Sequence, residues 1–158
     1  GFNRIVAAVD SRDRSEEARA LNRKIVELAT SLAKSEKSEL HVLHASSITG
    51  EAIMRGSVDD KDLDDWTDPK KERSLRELKE PLQPFEKEIT QVHIHEGPAE
   101  VVLPVFIEHF KADLLVMGTA CRTGISGILI GNTAEKVLHK VACSVLTVKP
   151  DNLAHHTD

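Results

Sequence analysis

Apolar residues in this chain follow two alternating patterns: short runs rich in Val, Ile and Leu, and longer segments with an apolar residue at every third or fourth position. The first pattern is typical of buried strands and the second of amphipathic helices. The short runs predict strands over 4–9, 40–45, 91–95, 112–117 and 144–148. The longer segments predict helices over about 15–35, over 69–89 with a kink or end at Pro81 and Pro84, after Gly97-Pro98, and over about 132–140.

Strands that alternate with helices indicate an α/β protein with a parallel sheet. Right-handed crossovers leave few arrangements of such a sheet, and the leading one is a doubly wound, three-layer sandwich. Two stretches fall outside the alternation, an acidic loop over 46–68 and a polar tail over 151–158. A loop of that length inside a compact domain is often functional.

Composition narrows the class of protein further. The chain has 158 residues, enough for one domain, with 3% aromatic residues, no Tyr and a net charge of −5. Few aromatic rings and a negative charge argue against base stacking and phosphate-backbone binding, so we expect no nucleic-acid partner. The longest apolar run, 101–107, is too short to span a bilayer, so we expect no membrane partner. Two cysteines favour a reducing, cytoplasmic compartment.

Two predicted strands end at residues that suit a ligand site. In an open α/β sheet, ligands bind at the carboxyl ends of the strands, where the winding direction reverses. The first strand ends at Asp10 and the fourth at Gly118, where a missing side chain would let a ligand approach the backbone. A helix that begins at 131–133 offers N–H groups to an anion. This pattern predicts a nucleotide with its phosphates on 118–133; the alternative is that the glycines serve turns and Asp10 begins one.

Several familiar sites are excluded by spacing. No Gly-Lys pair exists for a P-loop, and 10–15 contains no glycine for a dinucleotide fingerprint. The acidic loop imitates the start of a calcium-binding EF-hand but lacks the Gly and Glu that such a loop requires. His93 and His95 share one strand face, while His41 and His44 lie on opposite faces of another, so we expect structural or surface histidines and no metal site.

Four motifs, at 97–100, 112–119, 131–138 and 143–150, resemble the universal stress protein family and occur in its order. With the first strand they cover nearly all of residues 2–150. The resemblance therefore implies a universal stress protein domain over 2–150, in which 46–68 is a variable acidic loop and 151–158 a polar tail. The stretch 118–135 is most similar to the second half of tandem-domain members, which implies that this chain is a C-terminal half.

The resemblance implies a Rossmann-like, five-stranded parallel sheet in the order 3-2-1-4-5. ATP-binding members carry an Asp at the end of the first strand and a glycine motif after the fourth. In this chain the motif corresponds to Gly118, Cys121, Gly131 and Asn132, so Cys121 replaces the second glycine and Asn132 replaces a Ser or Thr. The nucleotide-binding residues that the resemblance implies are Ala8, Val9, Asp10, Ala45, Met117, Gly118, Cys121, Arg122, Gly131, Asn132 and Thr133.

The cofactor expected from this resemblance is ATP, with Mg²⁺ carried by the nucleotide. We find no credible general base or nucleophile in the sequence, so we expect binding without strong catalysis. The alternative is an interaction module that binds no nucleotide. It would act as a homodimer, or by pairing with a tandem partner domain, through the last strand at 144–149, because exposed edge strands pair readily.

Overall fold

The computed structural model describes residues 1–10, 15–46, 69–119 and 131–150. Strands and helices alternate along them as β1 (Arg4–Val9), α1 (Glu16–Glu36), β2 (Glu39–Ser46), α2 (Pro69–Leu82), β3 (Gln91–Glu96), α3 (Ala99–Phe110), β4 (Leu114–Gly118), α4 (Asn132–Lys140) and β5 (Ser144–Val148). A short 3-10 helix, Gln83–Phe85, follows α2. The predicted elements are confirmed, with boundaries that shift by one or two residues at most strands.

The helix ends follow from local chemistry. The Ser15 hydroxyl accepts a hydrogen bond from the N–H of Ala18 at 3.2 Å and so caps the start of α1. The helix α2 ends one residue after Pro81, and the 3-10 turn that follows contains Pro84, as expected for residues that lack an N–H. Pro98 is the N-cap of α3, one position before the first turn where the sequence predicted it.

All four strand pairings are parallel, and the strand order is β3-β2-β1-β4-β5. This is the predicted order, and it brings the carboxyl ends of all five strands to one edge of the sheet. The order reverses between β1 and β4, which are direct neighbours although a large part of the chain separates them. The ligand site predicted from the sequence would lie at this reversal.

The core lies on the two faces of the sheet, as expected for a three-layer sandwich. One face packs against α1 and α2, and its strand residues are Ile5, Ala7, Val9, Leu40, Val42, Leu114, Val116 and Val148. The other face packs against α3 and α4, and its buried strand residues are Val6, Leu43, Leu115 and Met117. Successive residues alternate between the faces, so the pattern of burial along each strand is that of a sheet covered on both sides.

Candidate functional site

The candidate site is the edge of the sheet at the ends of β1, β2 and β4. Val9 pairs in register with His44, and Ala7 with Val116, so Asp10, Ala45 and Gly118 follow these pairs at the same edge. The structure therefore brings together the strand ends that the sequence predicted to be neighbours.

The main chain of Asp10 is held by one side chain of α1. The N–H of Asp10 donates to Oδ1 of Asn22 at 3.2 Å, and Nδ2 of Asn22 donates to the carbonyl oxygen of Asp10 at 2.6 Å. Asn22 is only 7% exposed, so these two hydrogen bonds lie between α1 and the end of β1, largely shielded from water. Two bonds from one carboxamide fix both position and orientation of the residue that ends β1. Sequence reasoning missed Asn22; the available signal was a polar residue between the apolar positions 21 and 25 of an amphipathic helix.

Gly118 lies against the side chains of Leu21 and Ile25 of α1. A Cβ atom at this position would lie 2.8 Å from Cδ2 of Leu21 and 3.3 Å from Cδ1 of Ile25. Real Cβ atoms essentially never approach another atom to 2.8 Å, so a side chain here would require the buried Leu21 side chain to shift. The structure thus gives a packing reason for this glycine, where the sequence suggested the approach of a ligand.

The apolar residues predicted to surround a base divide between the two faces of the sheet. Met117 is buried on the face of α3 and α4, and Ala8 packs against the same cluster. Ala45 is buried and shares the alternation of Leu43, which places it on that face as well. Val9 belongs to the opposite face. Ala8, Ala45 and Met117 are therefore the three that share one surface.

The other end of the predicted site is the start of α4. Gly131 is its N-cap in an extended conformation, with φ −60° and ψ 154°, and Asn132 and Thr133 of the first turn are exposed. The first N–H groups of a helix have no partner within the helix, which suits them to an anion. Cys121 and Arg122, the other predicted phosphate ligands, lie outside the described residues.

A second group of polar side chains lies on the α3 face of β2 and β3. Spacing within each strand predicted that His93 and His95 share a face, and that His41 and His44 do not; both arrangements are present. Spacing did not predict that His41 meets His93 across the two strands, with 3.0 Å between Nδ1 and Nε2. Among the described residues, no group of three or more His, Cys, Asp or Glu side chains is arranged to hold a metal ion.

Two further groups with shifted pKa values, Asp113 and Cys143, lie away from the carboxyl ends of β1 and β4. The carboxylate of Asp113 accepts hydrogen bonds from the N–H groups of Arg4 and Asn3, which lower its pKa. The half-buried Cys143 packs against the core on the α3 and α4 face, and burial raises the pKa of its thiol. In the described part of the chain, no helix has the length and apolar character needed to cross a membrane.

The parallel strand order, which reverses between β1 and β4, defines a doubly wound α/β protein. Residues 1–149 match the model of the universal stress protein family, and the chain belongs to this family. Universal stress protein E from Escherichia coli is 34% identical over 133 residues, which cover 84% of this chain and 42% of that protein. The chain thus spans about half the length of the curated relatives it matches.

Solved structures agree with this assignment. A putative universal stress protein from Pseudomonas aeruginosa superposes with a TM-score of 0.72 at 32% identity, covering 98% of this chain and 50% of that chain. A universal stress protein in complex with cAMP superposes with a TM-score of 0.57 at 18% identity, covering 93% of this chain and 96% of that one. The second similarity shows the fold alone.

Proposed function

We propose that this universal stress protein domain binds an adenine nucleotide, ATP with its Mg²⁺, at the crevice between the ends of β1 and β4. The observation that carries the proposal is the reversal of strand order between these strands, with Asp10 following one and Gly118 ending the other. Ligands of doubly wound sheets bind at such a reversal. Asn22 supports it further, because it holds the main chain of Asp10 in one orientation.

In this proposal Asp10 accepts hydrogen bonds from the ribose or the base, which rests beside Ala8, Val9, Ala45 and Met117. The phosphates lie on the main-chain N–H groups of 118–121 and of 131–133, with Arg122 to neutralise their charge. Asn132 stands where ATP-binding members have a hydroxyl residue, and its side-chain amide can still donate a hydrogen bond to a phosphate. Cys121 in place of glycine is the substitution that most restricts the approach of a phosphate.

Thermal unfolding in the presence of nucleotide tests the proposal. Mg²⁺ with ATP should raise the Tm, since a ligand of the folded state adds about 2.7 kcal/mol at a concentration 100 times its Kd. ADP, AMP and cAMP are compared at the same concentrations; cAMP is included because a protein of this fold has been solved in complex with it. No shift at millimolar concentrations of any of them contradicts nucleotide binding.

Matched variants locate the ligand. Asp10→Asn should reduce the rise in Tm caused by ATP. Asp113→Asn, which changes a carboxylate beside the amino ends of β1 and β4, should leave that rise as it is. Cys121→Gly should enlarge it. We propose binding without strong hydrolysis, and release of phosphate at an ordinary enzymatic rate of about 1 per second or faster would contradict that part.

An open sheet edge favours a second candidate function, an interaction module. In the described sheet β5 pairs only with β4, and its Val145 and Leu146 are partly exposed. The relatives are about twice as long as the matched segment, so we propose that the chain is one half, the C-terminal one, of a cytoplasmic tandem protein. Its partner across residues 144–149 would be the other half or a second copy.

Sedimentation and amide exchange test this candidate. A dimer should form as the concentration rises, and exchange should slow in 144–149 but not in 91–96, the strand at the opposite edge of the same sheet. A chain that stays monomeric at all concentrations, with exchange in 144–149 independent of concentration, contradicts the homodimer.

A further inference from the structure

Three histidines, His41, His93 and His95, form what we call the histidine cluster, on the face of β2 and β3 that α3 covers. The ring centroids of His41 and His93 are 5.2 Å apart, and those of His93 and His95 are 6.4 Å apart. Phe106 and Phe110 of α3 pack on these rings, with centroids 4.8 Å and 5.1 Å from that of His93. The histidine cluster is therefore a contact between α3 and the strands β2 and β3.

The hydrogen bonds within the histidine cluster determine where its protons are. Nε2 of His41 lies 3.1 Å from Oε2 of Glu39, and a carboxylate only accepts, so Nε2 carries a hydrogen. In the neutral ring Nδ1 of His41 is then an acceptor, and Nε2 of His93 donates to it across 3.0 Å. The neutral pair thus has one arrangement of protons that satisfies both rings.

Added protons change this arrangement in two steps. With one proton on the pair, one nitrogen of the 3.0 Å contact donates and the other accepts, so the hydrogen bond persists. With a second proton, both nitrogens of the 3.0 Å contact are donors and both rings are cations. Two donors cannot share a hydrogen bond, so the contact must open.

Among the described residues, the groups that face the pair supply no carboxylate beyond Glu39. From β1, Arg4 reaches Glu39 with 3.3 Å between Nε and Oε2, and its guanidinium lies over Phe110. From α3 the facing side chains are the uncharged Phe106 and Phe110, while Glu108 and His109 of that helix are exposed. From β3 itself, His95 adds a further cation when it is protonated, and Glu96 alternates to the other face.

We propose that the histidine cluster is an acid-sensitive contact that holds β3 and α3 in place while it is neutral and releases them when it becomes doubly protonated. The strand β3 lies at the edge of the sheet and pairs only with β2 in the described structure, so its release breaks a single strand pairing. The proposal is independent of nucleotide binding.

The pH range follows from the pKa of His93. Burial first, and then the charges of His41 and His95, lower this pKa from 6.5 to about 4. The unfolded chain therefore binds more protons than the folded one between these values. The contribution of His93 to stability is complete above about pH 6.5 and is lost as the pH falls towards 4.

The test is the Tm measured from pH 7.5 to pH 4.5 for the wild type, His93→Phe and His139→Gln. The phenyl ring of His93→Phe keeps the packing on Phe106 and Phe110 but takes up no proton. His139 is exposed on α4, outside the histidine cluster, and serves as the matched control. We expect His93→Phe to lose roughly 5 °C less than the wild type over this range, and His139→Gln to follow the wild type. Equal losses in His93→Phe and the wild type would overturn the proposal.

A measurement on the wild type keeps the test independent of how well the variant folds. Proton NMR of the imidazole rings should show His93 titrating well below the usual histidine pKa of 6.5. Amide exchange at pH 5, relative to pH 7 and corrected for the intrinsic rate, should increase in 91–96 and 99–110 more than in 4–9. Titration of His93 near pH 6.5, or a uniform increase in exchange, contradicts the release of β3 and α3.

Discussion

Two buried histidines on the same strand of this protein show how different the two faces of one sheet are. His44 is 1% exposed and lies on the face of α1 and α2, where its Nδ1 donates to the carbonyl oxygen of Val9 at 3.2 Å. His41 is 3% exposed and lies on the other face, where its partners are a second histidine and a carboxylate. The carbonyl partner of His44 does not titrate, whereas both partners of His41 do. The two faces therefore differ in the hydrogen bonds that they offer to these histidines, although alternation along β2 treats both histidines alike.

The comparison predicts that the two faces are packed equally well although their histidines have different partners. The largest effect is expected when one buried leucine is removed from each face. Leu40 and Leu43 are fully buried on β2 and point to opposite faces. Leu40→Ala and Leu43→Ala should each lower the free energy of unfolding at pH 7.5 by about 2–5 kcal/mol, measured by urea denaturation. A loss near zero for either variant would show that its face is not a packed core.

A smaller effect is expected where α1 meets β4. Gly118→Ala should lower the free energy of unfolding by about 1–3 kcal/mol, because its Cβ would lie 2.8 Å from Cδ2 of Leu21. The control is Gly118→Ala combined with Leu21→Ala, which removes the opposing atoms. If packing is the reason for this glycine, the combined loss is smaller than the sum of the two single losses. Additive losses contradict that reason and favour a glycine kept for a ligand.

The smallest expected loss concerns the hydrogen bonds between α1 and the end of β1. Asn22→Leu removes two hydrogen bonds to the main chain of Asp10 and should lower the free energy of unfolding by about 1–2 kcal/mol. Thr30→Val serves as the comparison on the same helix. The Thr30 hydroxyl is buried without a hydrogen-bond partner among the described residues, so its replacement should cost little. Equal losses in the two variants would show that the bonds to Asp10 add nothing to stability.

Local patterns predicted most of this fold because each strand and helix carries its own period and end signals. Ser15, Pro81 and Pro84 act on the residues next to them, and the helix bounds follow from them. The meeting of Asp10 and Gly118 at one edge also followed, since right-handed crossovers leave a parallel sheet few strand orders. The reason for Gly118 did not follow, because the side chain it would strike belongs to a helix about one hundred positions earlier.

The histidine cluster, like the environment of Gly118, was predicted from the sequence only in part. That His93 and His95 share a face is a consequence of the two-residue period of a strand, and the sequence determined it. That His41 lies beside His93 depends on the register between β2 and β3, in which Leu43 pairs with His93. Register results from the packing of whole faces against helices, to which every buried residue contributes.

By itself, then, the sequence determined the elements, the family to which they belong and the meeting of the ends of β1 and β4, where we propose that a ligand binds. The tertiary structure decided which side chains share a hydrogen bond: Asn22 with the main chain of Asp10, and His41 with His93. The physical reason is the separation in sequence over which each kind of interaction acts. Periodicity and capping act between residues a few positions apart, whereas a hydrogen bond of about 3 Å between distant residues forms only after packing has fixed the positions of both.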